Sequence, residues 1–350
     1  MASRRRTTTS KKRKKRSGWG KALALLLLLL ILGAAGVAAF VALTPYGPSQ
    51  ETFVEIAPGS NAMQIGKQLE AAGVVRSQYA FDVLRWLRPG RLRAGTYRFA
   101  DPATISQVYG RIRRGDVYTI TVAIPEGSNI FEIAARLEQL GFGPAEDFLA
   151  VAKSEVNLVQ DLDPKATSLE GYLFPATYHF APKQKPEQIV AAMVKHFRAV
   201  AGQLGLVSNF HSVVTKASLI EKETAVTTER PLVASVFQNR LEKRMPLMTD
   251  PAVIYGLELE GVWRGTIYAS DLKRDTPYNT YLHAGLPPGP VANPGIPSLK
   301  AAMQPARTDY LYFVAAGSNP QGKSLFAATL EEHNQNVAEY RSAVKKAGSR

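Results

Sequence analysis

The strongest chemical feature of the chain is an acid at the end of an apolar run. Ala217-Ser218-Leu219-Ile220-Glu221-Lys222-Glu223-Thr224 sets Glu221 directly after two large aliphatic residues. A carboxyl group held against apolar surface loses solvation, which raises its pKa. Kept protonated near neutral pH, it can act as a general acid. The competing reading is a solvated charge beside Lys222. Glu223 lies two residues on, about 200° around a helix, so the two acids cannot form a side-by-side dyad. Nearby stand Phe237-Gln238-Asn239-Arg240-Leu241, Met248-Thr249-Asp250-Pro251 and Thr276-Pro277-Tyr278-Asn279-Thr280-Tyr281. Their amides, hydroxyls and aromatic faces suit sugar hydroxyls, N-acetyl groups and ring faces. Each also has a structural reading: an N-cap at Asp250, a turn at Asn279, core packing at Tyr281.

Other chemistries are excluded. The chain has no cysteine, which removes disulfides, iron–sulfur clusters, thiolate zinc sites and cysteine nucleophiles. The histidines His179, His196, His211, His283 and His333 are scattered, with no H-E-x-x-H, so no metal site is expected. There is no G-x-S-x-G elbow, Walker A or G-x-G-x-x-G loop. No cofactor is expected.

The elements that position these residues begin with an unusual N-terminus. The formal net charge is +14 over 350 residues, a footprint that could suggest nucleic acid. Ten of the cations lie within residues 1–21, from Arg4 to Lys21, with no acid among them. The remaining chain is nearly balanced, so no nucleic-acid face is required. Ala22–Leu43 carries no charge, and at ~1.5 Å per residue it reaches roughly 33 Å, enough to cross a bilayer core. It reads as a retained single-pass helix; a cleaved signal peptide and a buried soluble helix are the alternatives. The positive arm then stays in the cytoplasm and the rest lies on the periplasmic or extracytoplasmic side of the cytoplasmic membrane. The arm can also hold anionic lipid.

Pro45, Gly47 and Pro48 mark a linker. An internal repeat follows. Ile56-Ala57-Pro58-Gly59-Ser60-Asn61 returns as Ile124-Pro125-Glu126-Gly127-Ser128-Asn129, with Ile65, Leu69, Glu70 and Gly73 matching Ile133, Leu137, Glu138 and Gly141. Each copy predicts a strand (Thr52–Ile56, Tyr118–Ile124), a turn with a Ser or Asn cap, and an amphipathic helix stopped by glycine. Such units serve either as sugar-binding or as packing modules; the first copy loosely resembles LysM-type glycan-binding modules. Gly95–Phe99 predicts a strand and Ile105–Arg113 a short helix. Further on, helices are predicted at Pro186–Val200, Phe210–Thr224, Pro231–Glu242, Ser298–Gln304 and Leu330–Lys346, with a buried strand at Tyr310–Val314. Asp271–Pro297, with six prolines, predicts a long functional loop.

Several segments together carry a family resemblance. They include Leu169-Glu170-Gly171-Tyr172-Leu173-Phe174-Pro175, then Ala217–Thr224 continuing through Glu229-Arg230, then Val236–Leu241. Met248–Gly256, Tyr278–Tyr281, Gly285–Pro290, Asn293-Pro294-Gly295, Ser298–Ala301 and Tyr310–Val314 follow in order. The chain resembles the YceG-like family of membrane-anchored endolytic murein transglycosylases. It departs from the family at Ala176, where an acid is usual, and at Lys323-Ser324, where a Gly-x-His is common.

The resemblance implies an α+β chain with a single-pass transmembrane helix, a small LysM-like α/β module, and a mixed helical catalytic domain with long Pro/Gly-rich loops. The expected boundaries are a basic arm at 1–21, the membrane helix at 22–43, a linker at 44–51, the LysM-like module at 52–117 and the catalytic domain at 118–350. It implies cleavage of peptidoglycan glycan strands between N-acetylmuramic acid and N-acetylglucosamine without water. Glu221, the first acid of E-K-E-T, would protonate the leaving oxygen. It would then take the proton of the muramoyl C6 hydroxyl as that oxygen closes on C1, giving a 1,6-anhydro end. Asn239, Thr249, Asp250, Asn279 and Tyr281 are assigned to sugar binding and to holding the intermediate. Cell-wall synthases are the expected neighbours, with termination of nascent strands as the role. A hydrolytic muramidase, normally needing two carboxylates, and a non-catalytic membrane-anchored glycan-binding scaffold are the alternatives.

Overall fold

Helix α1, Gly18–Leu43, is made mostly of leucine, alanine and glycine with no charge after Lys21, and its side chains from Trp19 onward find almost no protein surface to cover them. Its Trp19–Leu43 span has a mean hydropathy of 2.8 and is long enough to cross a membrane. The helix starts slightly before the predicted Ala22. In this computed structural model the described residues are 18–317 and 322–348, so the basic arm over residues 1–17 lies outside them.

The chain divides into two compact units, one ending at Tyr118 and one beginning at Thr119. In the first, α1 leads to β1 (Thr52–Ile56), α2 (Ala62–Ala71), α3 (Gln78–Leu87), β2 (Gly95–Phe99) and α4 (Ile105–Arg114). β1 and β2 pair antiparallel, Thr52 opposite Phe99 and Ile56 opposite Gly95. Alternation along these strands turns Val54, Ile56, Tyr97 and Phe99 inward to meet Leu69, Phe81, Val108 and Ile112. The repeat explains the local geometry. Asn61 accepts from the Gln64 amide at 2.9 Å while the Gln64 side chain accepts from the Asn61 amide at 2.9 Å, a reciprocal cap on α2.

The second unit runs β3 (Ile120–Ala123), α5 (Ile130–Gln139), α6 (Ala145–Ser154), β4 (Thr177–Phe180), α7 (Pro186–Leu204), α8 (Phe210–Glu223), α9 (Arg230–Glu242) and α10 (Asp250–Leu259). The order ends with α11 (Ile296–Met303), β5 (Tyr312–Ala315), β6 (Ser324–Ala327) and α12 (Leu330–Gly348). β3 pairs with β4, and β5 with β6, both antiparallel. Asn129 and Glu132 repeat the reciprocal cap at the start of α5. The second strand of the repeat is shorter than predicted: it begins at Ile120, and the Tyr118 ring packs on Phe53 in the first unit. The strand expected to be buried at Tyr310–Val314 is instead Tyr312–Ala315, and all four of its residues are half-buried, Phe313 packing on the core and Tyr312 stacking on His333 of α12. Helices α3 and α6 were not anticipated, and α10 only through the N-cap reading of Asp250.

The core of this unit centres on α8. Val214, Ala217, Leu219 and Ile220 are fully buried, and α8 packs against α9, α10 and α11. Burial of each large aliphatic side chain is worth about 1.5–3 kcal/mol. The long proline-rich loop, 274–295, lies beside it and is pinned by Ser218, whose hydroxyl oxygen accepts from the Val291 amide at 3.0 Å.

Candidate active site at the end of helix α8

The E-K-E sequence occupies the last turn of α8, and helical geometry sends its two acids to different surroundings. Glu221 forms an ion pair with Arg230 at the start of α9, 2.7 Å apart; the two side chains are only 5% and 7% exposed. Its other oxygen accepts from the Gly295 amide at 2.9 Å. Glu126 stands close by, 3.8 Å from Arg230. Burial, followed by the charge of Glu221, raises the Glu126 pKa, and Arg230 opposes the rise.

Glu221 is thus part of a polar clamp. Asn293 accepts from the Leu173 amide at 2.8 Å and donates to the Ser128 carbonyl and to Glu170, at 2.9 and 2.8 Å. Glu170 also accepts from the Ile130 amide at the start of α5 at 2.9 Å, and burial pushes its pKa up to about 8. Asn129 donates to Glu258 on α10 at 2.6 Å. This network ties the segments 126–130, 169–173 and 293–295 to the end of α8. The loop passes so close that a methyl group on Gly295 would push the half-exposed Glu126 carboxylate aside.

Glu223 has different neighbours. It lines a cavity of about 320 Å³ with Arg240, Met248, Thr249, Asp250, Tyr281 and His333, floored by Phe237, Leu247 and Phe313. Burial raises its pKa to about 7; the charge of Asp250 adds to the rise and Arg240 opposes it. Tyr281 donates to Asp250 at 2.7 Å, and burial, strengthened by that bond, raises the Tyr281 pKa. Arg240 is held by the carbonyls of Leu311, Pro246 and Leu247, at 2.7, 3.2 and 2.9 Å. The Thr249 amide donates to the Thr280 hydroxyl at 2.9 Å, and the Met248 amide to the Thr280 carbonyl at 3.1 Å. Met248 adopts a left-handed φ of 55°, a conformation seldom kept by such a residue unless its surroundings enforce it.

The expected site is therefore brought together in part. Thr249, Asp250 and Tyr281 meet at one cavity, but around Glu223, the acid thought to point away. Glu221 is neither a solvated charge beside Lys222 nor a carboxyl against bare apolar surface: its partners are a guanidinium and an amide. Asn239 and Asn279 do not line the cavity. Asn239 spends its amide on the carbonyls of Thr308 and Tyr310, at 2.7 and 2.9 Å. Asn279, fully buried, donates to Leu272 and Arg274 and accepts from the Tyr281 amide. Its turn aims Tyr281. Asp250 does not cap α10 but sits in its first turn, after Thr249 and before Pro251. Arg240, although it lies in the segments Phe237–Leu241 and Val236–Leu241, was not singled out as a site residue, and neither was His333.

A model of the YceG-like family matches residues 54–339. An endolytic murein transglycosylase of Bacillus subtilis (strain 168) is 34% identical over 312 residues, covering 83% of this chain and 85% of that protein. An endolytic murein transglycosylase of Streptococcus pneumoniae serotype 2 (strain D39) is 32% identical over 320 residues. There the match takes in 82% of this chain but 58% of the longer pneumococcal protein. A 2.6 Å crystal structure of a yceG-like protein from Listeria monocytogenes matches with a TM-score of 0.53 and 33% identity, over 82% of this chain and 99% of that one.

Proposed function

We propose that this chain, which belongs to the YceG-like family, is an endolytic murein transglycosylase whose acid and base are one residue, Glu223. The observation that carries the assignment of Glu223 is its place in the cavity beside Asp250 and Tyr281, with a pKa near 7. An acid that must first give and then take a proton works best with a pKa near the working pH. Glu223 protonates the oxygen of the bond between N-acetylmuramic acid and N-acetylglucosamine as that bond breaks. The resulting carboxylate takes the proton of the muramoyl C6 hydroxyl while O6 bonds to C1. A 1,6-anhydro end forms, water is not consumed, and Glu223 regains its proton. Asp250 keeps the Glu223 proton in place by its charge, and Tyr281 and Thr249 offer hydroxyls to the sugar. Glu221 holds the clamp that positions this turn.

The first unit serves as a LysM-like glycan-holding module. A hollow of about 570 Å³ between Ala57–Ser60 and Arg91–Ala94 supports this role. Residues 44–51 are the linker, 52–117 the module and 118–350 the catalytic domain. Anchored through α1 in the cytoplasmic membrane with the basic arm inside, the enzyme reaches extracytoplasmic glycan close to the membrane and ends nascent strands beside their synthases.

The test is product analysis by mass spectrometry on purified peptidoglycan. Glu223→Gln is expected to lower formation of anhydro ends by about 10²–10⁴-fold, while Glu221→Gln keeps measurable cleavage at a reduced stability. Full activity in Glu223→Gln would remove it from the acid role. Reducing muramic ends from the unmodified enzyme would mean hydrolysis instead.

A further inference from the structure

Helix α3 carries two apolar faces. One is satisfied inside the first unit by Phe81, fully buried, and by Leu84 packed on the same core. Among the described residues the other has no protein partner. Tyr79, Val83, Trp86 and Leu87 follow the i, i+4, i+7, i+8 spacing of a single stripe, and all four are exposed, Tyr79 by 72% and Trp86 by 81%. Exposed Met63 continues the stripe beside a hollow of about 480 Å³ lined also by Arg85, Trp86 and Pro89. Monomeric proteins seldom leave a contiguous apolar patch rimmed by polar groups unless something binds it.

Charge and location identify what binds. Residues 76–93 hold five arginines, Arg76, Arg85, Arg88, Arg91 and Arg93, against one acid, Asp82. Trp and Tyr set beside Arg is the composition of surfaces that rest at the boundary between lipid headgroups and acyl chains. The stripe also starts next to the membrane-spanning candidate. The Arg76 guanidinium lies 4.9 Å from the ring of Phe40, in the last turn of α1, and 4.8 Å from that of Tyr46. Tyr46 is bridged to Ala103 by paired backbone hydrogen bonds of 3.0 and 2.9 Å. Within this unit α3 and α4 both pack against α1. The end of the membrane helix and the linker after it are therefore fastened to the module two residues before α3 begins, not left as a free tether.

We propose that the α3 stripe is a second membrane contact: Tyr79, Val83, Trp86 and Leu87 seat in the outer interface of the bilayer that α1 crosses, and the arginines bind anionic headgroups. The proposal rests on the reading of α1 as a membrane helix. Docking of this kind fixes the first unit on the lipid surface, so glycan held by it enters at a set height rather than over the sweep of a loose tether.

The test uses the full chain reconstituted in vesicles of phosphatidylglycerol and phosphatidylethanolamine, with phosphatidylcholine vesicles for comparison. Trp19, Trp86 and Trp263 are the only tryptophans, so two single-tryptophan proteins suffice: Trp19→Phe/Trp263→Phe, which retains Trp86, and Trp86→Phe/Trp263→Phe, which retains Trp19. Quenching is measured with lipids carrying a spin label near the headgroup or deep in the chain, and with aqueous acrylamide. The expected result is Trp86 emission shifted to the blue, quenched several-fold more by the shallow label than by the deep one or by acrylamide, and more so in the anionic vesicles. Trp86 open to acrylamide and untouched by lipid labels, while Trp19 is lipid-quenched, overturns the docking and leaves the membrane helix standing. Trp19 unquenched by lipid overturns the membrane helix itself. Trp86 shielded from both quenchers and released on dilution of protein in lipid overturns the proposal in favour of a second copy on the stripe. A Val83→Asp/Leu87→Asp protein in the Trp86-only background should lose most of the lipid quenching; unchanged quenching would also overturn it.

Discussion

Replacing Glu223 by Gln should stabilise the second unit while destroying its activity, and the gain should depend on pH. The wild-type carboxyl has its pKa raised from the usual 4.5 to about 7, chiefly by burial. Below pH 4.5 the residue is protonated in both folded and unfolded chains and contributes no difference. Between 4.5 and 7 the unfolded chain releases its proton while the folded chain retains it, so stability falls as pH rises. Above 7 both are ionised and the penalty is constant. At ~1.36 kcal/mol per pH unit, the full penalty is about 3 kcal/mol. Glutamine has the same shape and never ionises. The Glu223→Gln protein should therefore match wild type near pH 4 and exceed it by up to about 3 kcal/mol near pH 8. Urea unfolding followed by Trp263, in a Trp19→Phe/Trp86→Phe background, reports the second unit alone. Other buried acids, Glu170 and Glu258, also tilt the pH curve, but they are common to both proteins and cancel in the difference. A difference that is flat from pH 4 to 8, or a wild type more stable at pH 8, would refute the reasoning about Glu223.

Two further changes probe the surroundings of this turn. Arg230→Met strands the Glu221 carboxylate in a pocket where it is 5% exposed, so the loss should be about 3–5 kcal/mol; a loss below about 1 kcal/mol in the same unfolding assay would class the pair with surface ion pairs. Asp250→Asn removes a charge that raises the Glu223 pKa. The basic limb of the pH profile of kcat/KM should then move toward acid by roughly one pH unit, and an unmoved limb would exclude Asp250 from that role.

Much of the scaffold could be read from residue pattern because its causes are local. The repeat's caps depend on residues three apart, as in Asn61 with Gln64 and Asn129 with Glu132. The helices α7, α8 and α9 follow apolar periodicity and proline placement, and the apolar α1 follows from composition. Helix α3 was missed although Gln78, Asp82 and Arg85 share one side of it and its apolar residues the rest, because its ten residues lie between two Gly/Pro-marked turns and outside the repeat. Asn239 and Asn279 looked like ligand groups because residue type alone does not reveal which backbone carbonyls will consume an amide. Those carbonyls lie 69 and 71 residues away for Asn239.

The division between Glu221 and Glu223 has the same origin. Leu219 and Ile220 are neighbours of Glu221 in sequence, but on a helix the adjoining residues point elsewhere, and Glu221 faces partners 9 and 74 residues distant. Two steps around a 3.6-residue turn carry Glu223 to the opposite side. One acid is kept paired with Arg230, which fixes the end of α8 to α9 and to the Gly295 loop, while the other faces the cavity, where the proposed function places the acid. Both acids sit on one helical turn, so the ion pair and amide hydrogen bond of Glu221 hold the same turn in which Glu223 is buried at a cost in folding energy.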